Sequence, residues 1–263
     1  EAERIVEDAL WKMKSSSDGS LLDRAFLVMM NPNTGEILSM VGKRVEYDAG
    51  GKMYLVDYSY GTFTTAYEIG STVKGATLLT GYREGAVTIG ATQIDEPIVL
   101  GENLVKSSIF NRSGRIRMDD LMALEQSSNV YMFKIAMTMG GLSYYPYIGI
   151  ASLLRDDTLQ RLRNGYAQVG LGVPTGVDLP GETAGVIGVP DSPGKVLDIT
   201  IGQFDTYTPL QLVQYVSTIA NGGYRVQPRL LKEIRKPSKD GQMLGPLVEE
   251  IKPKILNRLD NTQ

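Results

Sequence analysis

The apolar positions of the chain first repeat with a helical period and then gather in short runs. The first 14 residues carry an apolar stripe of Ile5, Ala9 and Met13, flanked by Val6 and Leu10. This spacing predicts an amphipathic helix over residues 1–14. Two apolar runs, 25–30 and 36–41, are then joined by Asn31-Pro-Asn-Thr-Gly35. Asparagine, proline and glycine are typical of turns, so these runs predict a β-hairpin.

An irregular stretch separates the hairpin from a second helical pattern. Residues 43–66 mix charged residues, glycine and tyrosine without a period, and they predict a loop. Beyond them a helical pattern runs until it is broken by the glycines at 81 and 85; its apolar positions are Val73, Ala76, Leu79 and Tyr82. Ser71 therefore stands where a loop becomes a helix.

Two further helices are predicted in the middle of the chain, with small polar residues between them. Residues 119–126 form the first, and residues 130–139 form the second, which Gly140-Gly141 ends. The break consists of Ser127-Ser128-Asn129. Such a break can project hydroxyl and amide groups, but its residues can equally serve only to cap the second helix.

The last third of the chain predicts a connection, a buried helix and one strand. Residues 165–195 form a connection rich in glycine and proline. Thr208-Pro-Leu-Gln211 has a capping-box pattern and begins a helix. We expect this helix to be buried because it is apolar nearly all round, at Leu210, Leu212, Val213, Val216, Ile219 and Ala220. Residues 229–235 predict one more strand before a polar tail.

Composition describes a globular chain and excludes several kinds of partner and chemistry. The 263 residues are 42% hydrophobic and 22% charged, enough for one large domain or two small ones. A net charge of -3 without basic runs argues against nucleic acid as a partner. No apolar run approaches the length of a membrane span, and no signal peptide opens the chain. Because the chain begins with Glu1 rather than methionine, a membrane anchor could have been lost with its N-terminus.

The absence of histidine and cysteine restricts the chemistry further. Without histidine there is no Ser-His-Asp triad, no Cys-His pair and no imidazole ligand for a metal. Without cysteine there is no thiolate and no disulfide. We expect no cofactor and no metal. A base for acid-base chemistry must then be a lysine, a carboxylate or a tyrosine, which favours a serine activated by lysine.

Ser71 and Lys74 are the candidate nucleophile and base. Residues three apart share a helical face, so Lys74 is predicted to carry its amine toward the Ser71 hydroxyl at the helix N-terminus. The alternative is a helix cap followed by a surface lysine. A second Ser-x-x-Lys match, Ser192 to Lys195, lies in the turn-like sequence Asp191-Ser-Pro-Gly. We expect no helix to continue through that lysine.

A cluster of three arginines is the remaining charged feature. Arg112, Arg115 and Arg117 lie close together in the mixed segment 86–118. They could bind an anion, but a solvated basic face is the simpler interpretation.

Taken in order, these motifs resemble the transpeptidase domain of class B penicillin-binding proteins, and the resemblance covers nearly the whole chain. Gly70-Ser-Thr-Val-Lys74 resembles the nucleophile motif of the family, and Ser127-Ser-Asn129 resembles its Ser-x-Asn motif. Ile201-Gly-Gln203 and Ala220-Asn-Gly-Gly223 look like segments that follow in these enzymes. The overall sequence is most similar to those of Gram-positive members of the family.

The resemblance implies an α+β fold of the penicillin-binding protein and serine β-lactamase type, with a helical subdomain and an antiparallel sheet packed by helices, and one transpeptidase domain over residues 1–263. It also implies a peptidoglycan D,D-transpeptidase on the extracytoplasmic face of the cell membrane, with an anchor in the parent chain. Its partners would be peptidoglycan stem peptides, β-lactam antibiotics as covalent ligands of Ser71, and proteins of cell-wall elongation or division.

The resemblance also implies a role for each candidate catalytic residue. Ser71 would attack the D-Ala-D-Ala carbonyl, and Lys74 would act as base, its pKa lowered by desolvation and by other cationic groups. Ser127 would relay a proton toward the leaving group. Asn129 would hydrogen-bond the substrate amide and fix the lysine.

The chain departs from the family pattern at two places. Ile69 stands where the family usually has proline, which removes no reactive group. The third motif, Lys-Thr-Gly on a strand beside the site, is absent from the 263 residues. We therefore expect the domain to be incomplete at its C-terminus. Because that strand provides one of two oxyanion donors, worth about 3 kcal/mol, we expect these residues alone to be acylated poorly or not at all.

Two alternatives to a transpeptidase stay open on the sequence. A serine β-lactamase shares the fold and the nucleophile but adds a deacylating water, and a hydrolysis assay separates the two. A non-catalytic β-lactam sensor or scaffold is the other. The presence of Ser71, Lys74, Ser127 and Asn129 counts against a degenerate site.

Overall fold

The computed structural model describes residues 1–16, 19, 21–101, 104–155, 157–238, 241 and 244–259. The helices in these ranges are α1 (Ala2–Lys14), α2 (Gly61–Thr64), α3 (Lys74–Arg83), α4 (Asp120–Glu125), α5 (Asn129–Met139), α6 (Ser152–Arg155), α7 (Thr158–Gln168), α8 (Pro193–Ile199) and α9 (Pro209–Ala220). None of these helices is long and apolar enough to cross a membrane.

The strands form one three-stranded sheet and several two-stranded pairs. In chain order they are β1 (Arg24–Met30), β2 (Ile37–Tyr47), β3 (Met53–Asp57), β4 (Gln93–Asp95), β5 (Ile98–Gly101), β6 (Leu104–Lys106), β7 (Ile116–Met118), β8 (Tyr224–Val226), β9 (Glu233–Arg235), β10 (Leu247–Glu250) and β11 (Ile255–Arg258). The larger sheet has the order β1-β2-β3, and the pairs are β4-β7, β5-β6, β8-β11 and β9-β10. All of these pairings are antiparallel.

The chain divides into two compact units. Within the described residues, the first comprises Glu1–Ala66, Val169–Ala184 and 208–259, and the second comprises Tyr67–Gln168 and Gly185–Tyr207. All four candidate catalytic residues lie in the second unit.

The predicted hairpin is confirmed in the first unit, but the predicted loop after it is wrong in most of its length. β2 continues to Tyr47 and pairs with β3. The turn between them is closed by Asp48, whose Oδ1 accepts the N–H groups of Gly50 and Lys52, both at 2.9 Å. The charged residues of this outer hairpin, at 43, 44, 46 and 57, interrupt the apolar ones without a period of two, so a hydrophobic period could not reveal it.

The N-terminal helix is confirmed, although the face that it buries is not centred on the expected stripe. Val6 and Leu10 are 5% and 1% exposed, whereas Ile5 and Met13 keep about half of their surface, at 49% and 54%. The helix packs against β1 and β2 through the flank of the stripe. A 13-residue helix has several apolar positions, and only its partner decides which of them are covered.

The capping box of α9 is confirmed, and so is the burial of Leu210, but the prediction that the helix is buried nearly all round is wrong. Thr208 and Gln211 exchange two hydrogen bonds between side chain and backbone N–H, at 2.8 and 3.1 Å. Val216 and Ile219 are 56% and 45% exposed, whereas Gln214 is fully buried.

The buried amides of α9 donate to backbone carbonyls outside the helix, most of them in the connection after α7. Gln214 Nε2 donates to the carbonyl oxygens of Thr175 at 3.1 Å and Val226 at 3.0 Å. Gln211 Nε2 donates to those of Val173 at 2.8 Å and Ala184 at 3.0 Å. The connection after α7 is irregular, so its buried carbonyls need side-chain donors, and glutamine reaches them where leucine would not.

Two expectations for the C-terminal part are partly wrong. The strand predicted at 229–235 is limited to β9. The tail, for which only polar character and no strand was predicted, contains β10, which pairs with β9, and β11, which pairs with β8. Strands of three or four residues carry too few positions for an alternating pattern to be visible.

The second unit is built around α5, whose side chains are buried on nearly every side. It packs against α3, α7, α8 and β4. The helices predicted at 119–126 and 130–139 are confirmed as α4 and α5. The expected break at Gly81 is wrong, because α3 continues to Arg83. Glycine at this position instead allows α3 to pack closely on α5, since a Cβ there would lie 2.8 Å from Ile135 Cγ2.

Candidate active site

Ser71 lies in a 3₁₀ turn, Gly70–Val73, that leads directly into α3. Its side chain is exposed, and its carbonyl accepts the N–H of Lys74. The turn is held in place by Gly70, whose N–H donates to the Gly202 carbonyl at 3.0 Å. Gly202 has a φ of +76°, and a Cβ there would lie 2.0 Å from the Gly70 carbonyl oxygen. Glycine at 202 is thus required for the contact that presents Ser71.

Lys74 is buried beneath this turn, with 2% of its surface exposed. Its Nζ lies 2.6 Å from the Ser127 carbonyl oxygen, 2.9 Å from Ser127 Oγ and 2.7 Å from Asn129 Oδ1. Among the described residues, no hydrogen bond joins Lys74 to the Ser71 hydroxyl, although the sequence placed the two side chains on one face. Three of the four predicted residues are therefore brought into direct contact, and Ser71 stands beside them on the adjoining turn.

The electrostatic environment of Lys74 favours loss of its proton. Burial lowers the pKa of its ammonium from 10.5 to about 8, and the negative charge of Asp95 opposes that change. The expected direction of the shift agrees with the structure. The expected contribution of cationic neighbours does not, because burial alone lowers the pKa and the charged neighbour is an acid.

Ser127 directs two oxygens at Lys74 because its backbone is left-handed, with a φ of 56°. A residue other than glycine in this region stores of order 1 kcal/mol of strain, which the surrounding contacts must sustain. Ser127 occupies the break between α4 and α5, where its N–H donates to the Leu124 carbonyl at 3.1 Å. The sequence predicted this break but not its conformation.

Asn129 begins α5 and is oriented by contacts on both sides of its amide. Oδ1 accepts from Lys74, and Nδ2 donates to the Ser107 carbonyl at 3.2 Å. Its backbone N–H donates to Ser108 Oγ at 3.0 Å. A side chain with both ends occupied keeps its oxygen turned to the lysine.

The two interpretations of the Ser-Ser-Asn break both apply, to different residues. Ser128 is the cap of α5, since its Oγ accepts the Tyr131 N–H at 3.0 Å. Ser127 and Asn129, on either side of it, turn toward Lys74 instead. Asp95 and Ser108, which support this break from below, were not predicted. Asp95 stands beside Glu96 among the apolar residues of 94–100, and this placement is its one signal in the sequence.

The second Ser-x-x-Lys match has a similar local placement and a different environment. α8 runs through Lys195, so the expectation of no helix there is wrong; proline is favourable in the first turn of a helix. The Lys195 side chain is 37% exposed, and its Nζ lies 2.8 Å from Asp191 Oδ2. These are the contacts of a surface ion pair.

The three clustered arginines face solvent. Arg115 pairs with Glu96 at 2.8 Å, and Arg117 donates to Thr92 Oγ1 at 2.9 Å. In the described ranges, no group of three or more acidic side chains is close enough to hold a metal ion.

Comparison with known proteins identifies the family of this chain. The family described as "Penicillin binding protein transpeptidase domain" matches residues 25–263. Penicillin-binding protein H of Bacillus subtilis (strain 168) is 47% identical over 262 residues, which are 99% of this chain and 36% of that protein. Penicillin-binding protein 2A of the same strain is 43% identical over 258 residues, 98% of this chain and 35% of that protein.

A solved structure also matches this chain in its fold. Penicillin-binding protein 2B from Streptococcus pneumoniae (strain 5204) superposes with a TM-score of 0.92 at 31% identity, over 99% of this chain and 42% of that one. The chain therefore belongs to the penicillin-binding protein transpeptidase family, and the predicted α+β fold is confirmed. It spans about a third of the length of the curated relatives that it matches, at 36% and 35%.

Proposed function

We propose that the protein is a peptidoglycan D,D-transpeptidase in which Ser71 is the nucleophile. The observation that supports this most strongly is the buried amine of Lys74, held by Ser127 and Asn129 next to the turn that presents an exposed serine hydroxyl. A buried lysine with neutral hydrogen-bond partners and no carboxylate among its described hydrogen bonds is unusual for a structural residue. It is what a general base requires.

The contacts of Lys74 suit a neutral amine as well as an ammonium. A neutral amine has two N–H donors and one lone pair. The Ser127 carbonyl and Asn129 Oδ1 can only accept, so they take both donors. The remaining contact, at 2.9 Å, then has the Ser127 hydroxyl donating to the lone pair. Ser127 is thereby placed to pass a proton to and from Lys74.

In the proposed reaction, the Ser71 oxygen attacks the carbonyl carbon between the two D-alanines of a stem peptide, and its proton passes to Lys74. The C–N bond to the terminal D-alanine breaks, and its nitrogen receives a proton through Ser127. An amine of a second stem then attacks the acyl ester, forms the cross-link and returns the serine hydroxyl. Catalytic hydrogen bonds often tighten only when substrate is bound. The lack of a described hydrogen bond between Ser71 and Lys74 is therefore compatible with these reaction steps.

We propose further that β-lactams acylate Ser71, because their amide resembles the D-Ala-D-Ala bond. The site uses no cofactor or metal in this scheme. The extracytoplasmic face of the cell membrane is the place where such substrates occur. Proteins of cell-wall elongation or division are the proposed partners, and the description of residues 1–263 as one transpeptidase domain stays a prediction.

The test uses the complete gene product and a stem pentapeptide ending in D-Ala-D-Ala, with release of D-alanine and formation of cross-linked product as the readouts. Ser71→Ala is expected to abolish both, because the other hydroxyl of that turn, on Thr72, donates to the Ile69 carbonyl at 2.8 Å instead of serving as a nucleophile. Ser192→Ala removes the serine of the other Ser-x-x-Lys match and is expected to leave both rates unchanged. Activity that survives Ser71→Ala contradicts the proposal, and so does release of D-alanine without any cross-linking.

A further inference from the structure

A buried carboxylate lies beneath the Ser-Ser-Asn break and belongs to no assigned motif. Asp95, the last residue of β4, is 1% exposed. Its Oδ2 accepts hydrogen bonds from Ser108 Oγ and Ser128 Oγ, each at 2.5 Å. Its Oδ1 accepts from Asn111 Nδ2 at 2.8 Å. A carboxylate buried among neutral donors, without an ion pair among its described contacts, calls for an explanation beyond packing.

The two serines fix the direction of these hydrogen bonds. Ser108 Oγ accepts the backbone N–H groups of Asn129 at 3.0 Å and Val130 at 3.3 Å. Ser128 Oγ accepts the N–H of Tyr131 at 3.0 Å. Because each hydroxyl oxygen already accepts, its single proton is free to point at Asp95.

The first-turn N–H groups of α5 are thus connected through two hydroxyls to one buried negative charge. A helix N-terminus stabilises a negative charge, and here the charge interacts with the N–H groups through the two hydroxyls instead of contacting them directly. Asn111 keeps the carboxylate turned toward the serines, since its own Oδ1 accepts the Gly114 N–H at 2.8 Å and its amide therefore faces Asp95. Each described polar atom of the cluster has a partner.

The residues on either side of the clamped serine are those that hold Lys74. Ser127 keeps its left-handed conformation only while its neighbours sustain it. Asn129 can present Oδ1 to the lysine only while its backbone stays bonded to Ser108. Asp95 itself touches neither Ser71 nor Lys74 among its described hydrogen bonds, so it acts on the amine through the break and through its charge.

We propose that Asp95 is a positioning residue of the acylation site, which clamps the Ser127-Ser128-Asn129 segment through Ser108 and Ser128 and places a negative charge beneath Lys74. The proposal rests on the proposed function, because acylation of Ser71 is the event that it would control. The charge of Asp95 favours the ammonium form and raises the pKa of Lys74 against the effect of burial. A structural clamp without an electrostatic role would leave that pKa unchanged.

The test measures the rate of acylation by a fluorescent penicillin between pH 6 and 10 on the complete gene product. Asp95→Asn keeps the shape and removes the charge. It is expected to slow acylation at least about tenfold, because the new amide nitrogen either replaces Oδ2, the acceptor of both serines, or faces the Asn111 amide nitrogen, which is also a donor. It is also expected to move the pH midpoint downward by about half a unit or more. Glu96→Gln removes the charge of the adjacent acid, which pairs with Arg115 and is absent from the contacts of Lys74. It is expected to leave the midpoint where it is in the wild type.

A second variant separates the clamp from the charge and also serves if Asp95→Asn does not fold. Ser108→Ala keeps the negative charge and removes the acceptor for two N–H groups of α5. It is expected to slow acylation about tenfold or more without moving the midpoint. A wild-type rate in Ser108→Ala, or an unchanged midpoint in a folded Asp95→Asn, overturns the proposal. Failure of the wild type itself to acylate at Ser71 would instead contradict the proposed function, so the two failures are distinguishable.

Discussion

Lys74 and Lys195 each follow a serine by three residues, and their surroundings differ in every respect that matters for chemistry. Lys74 is 2% exposed and its described hydrogen bonds go to neutral oxygens, whereas the Lys195 side chain is 37% exposed and pairs with a carboxylate. The sequence separated the two matches by the turn composition around Ser192. That reason was wrong, since a helix does carry the chain to Lys195, and burial is what distinguishes them.

The lowered pKa of Lys74 predicts a pH dependence of acylation. Only the neutral amine can accept the Ser71 proton, and the neutral fraction rises as pH passes the pKa of about 8. The acylation rate is therefore expected to fall about tenfold for each unit below that value and to level off above it. The measurement is the rate of acylation by a fluorescent penicillin across pH 6 to 10 on the complete gene product.

Lys74→Arg is the matched variant, because it keeps a positive charge that does not titrate in this range. It should show no acylation at any of these pH values. A wild-type rate that is flat from pH 6 to 9, or a midpoint near the ordinary lysine value, would contradict the role of Lys74 as base.

At the scale of elements, the break between α4 and α5 carries most of the site. Its position could be predicted, because two helical patterns stop on either side of three small polar residues. Its geometry could not, since the left-handed backbone of Ser127 and the clamp on Ser128 depend on β4 and on Ser108, which are distant in sequence. Local patterns contain no information about such partners.

The buried face of α9 shows the same limitation for the fold. Hydrophobic periodicity assigned burial to Val216 and Ile219, yet the helix buries Gln211 and Gln214 because irregular neighbours need their amides. A pattern of apolar positions cannot predict that a polar side chain is buried. Only the neighbouring backbone shows why it is inside.

Gln214→Leu is expected to destabilise the first unit around α9. The change leaves the carbonyls of Thr175 and Val226 without their donor, at about 1–3 kcal/mol for each buried group. Hydrogen exchange of the α9 amides in the complete gene product is the measurement, and exchange should become faster. Val216→Ala changes an exposed side chain of the same helix and should alter that exchange little. Equal effects of the two variants would refute this account of the buried face.

For the molecule as a whole, the order of the motifs predicted the family and the fold better than the individual helices and strands did. Joint resemblance of several short motifs identified the family and the α+β fold, while the outer strand β3 and the short strands β10 and β11 went unseen. Each of those strands is defined by its partner, β3 by β2, β10 by β9 and β11 by the more distant β8, and not by its own composition. The assignment of roles to the four site residues remains a proposal that chemistry must test.

Intact-protein mass spectrometry of the complete gene product, before and after incubation with benzylpenicillin, tests the central claim most directly. The account predicts a mass gain of one penicilloyl group per molecule, mapped by peptide analysis to Ser71, which is absent in Ser71→Ala and retained in Ser192→Ala. No adduct on the wild-type protein, or an adduct on any other residue, would contradict it.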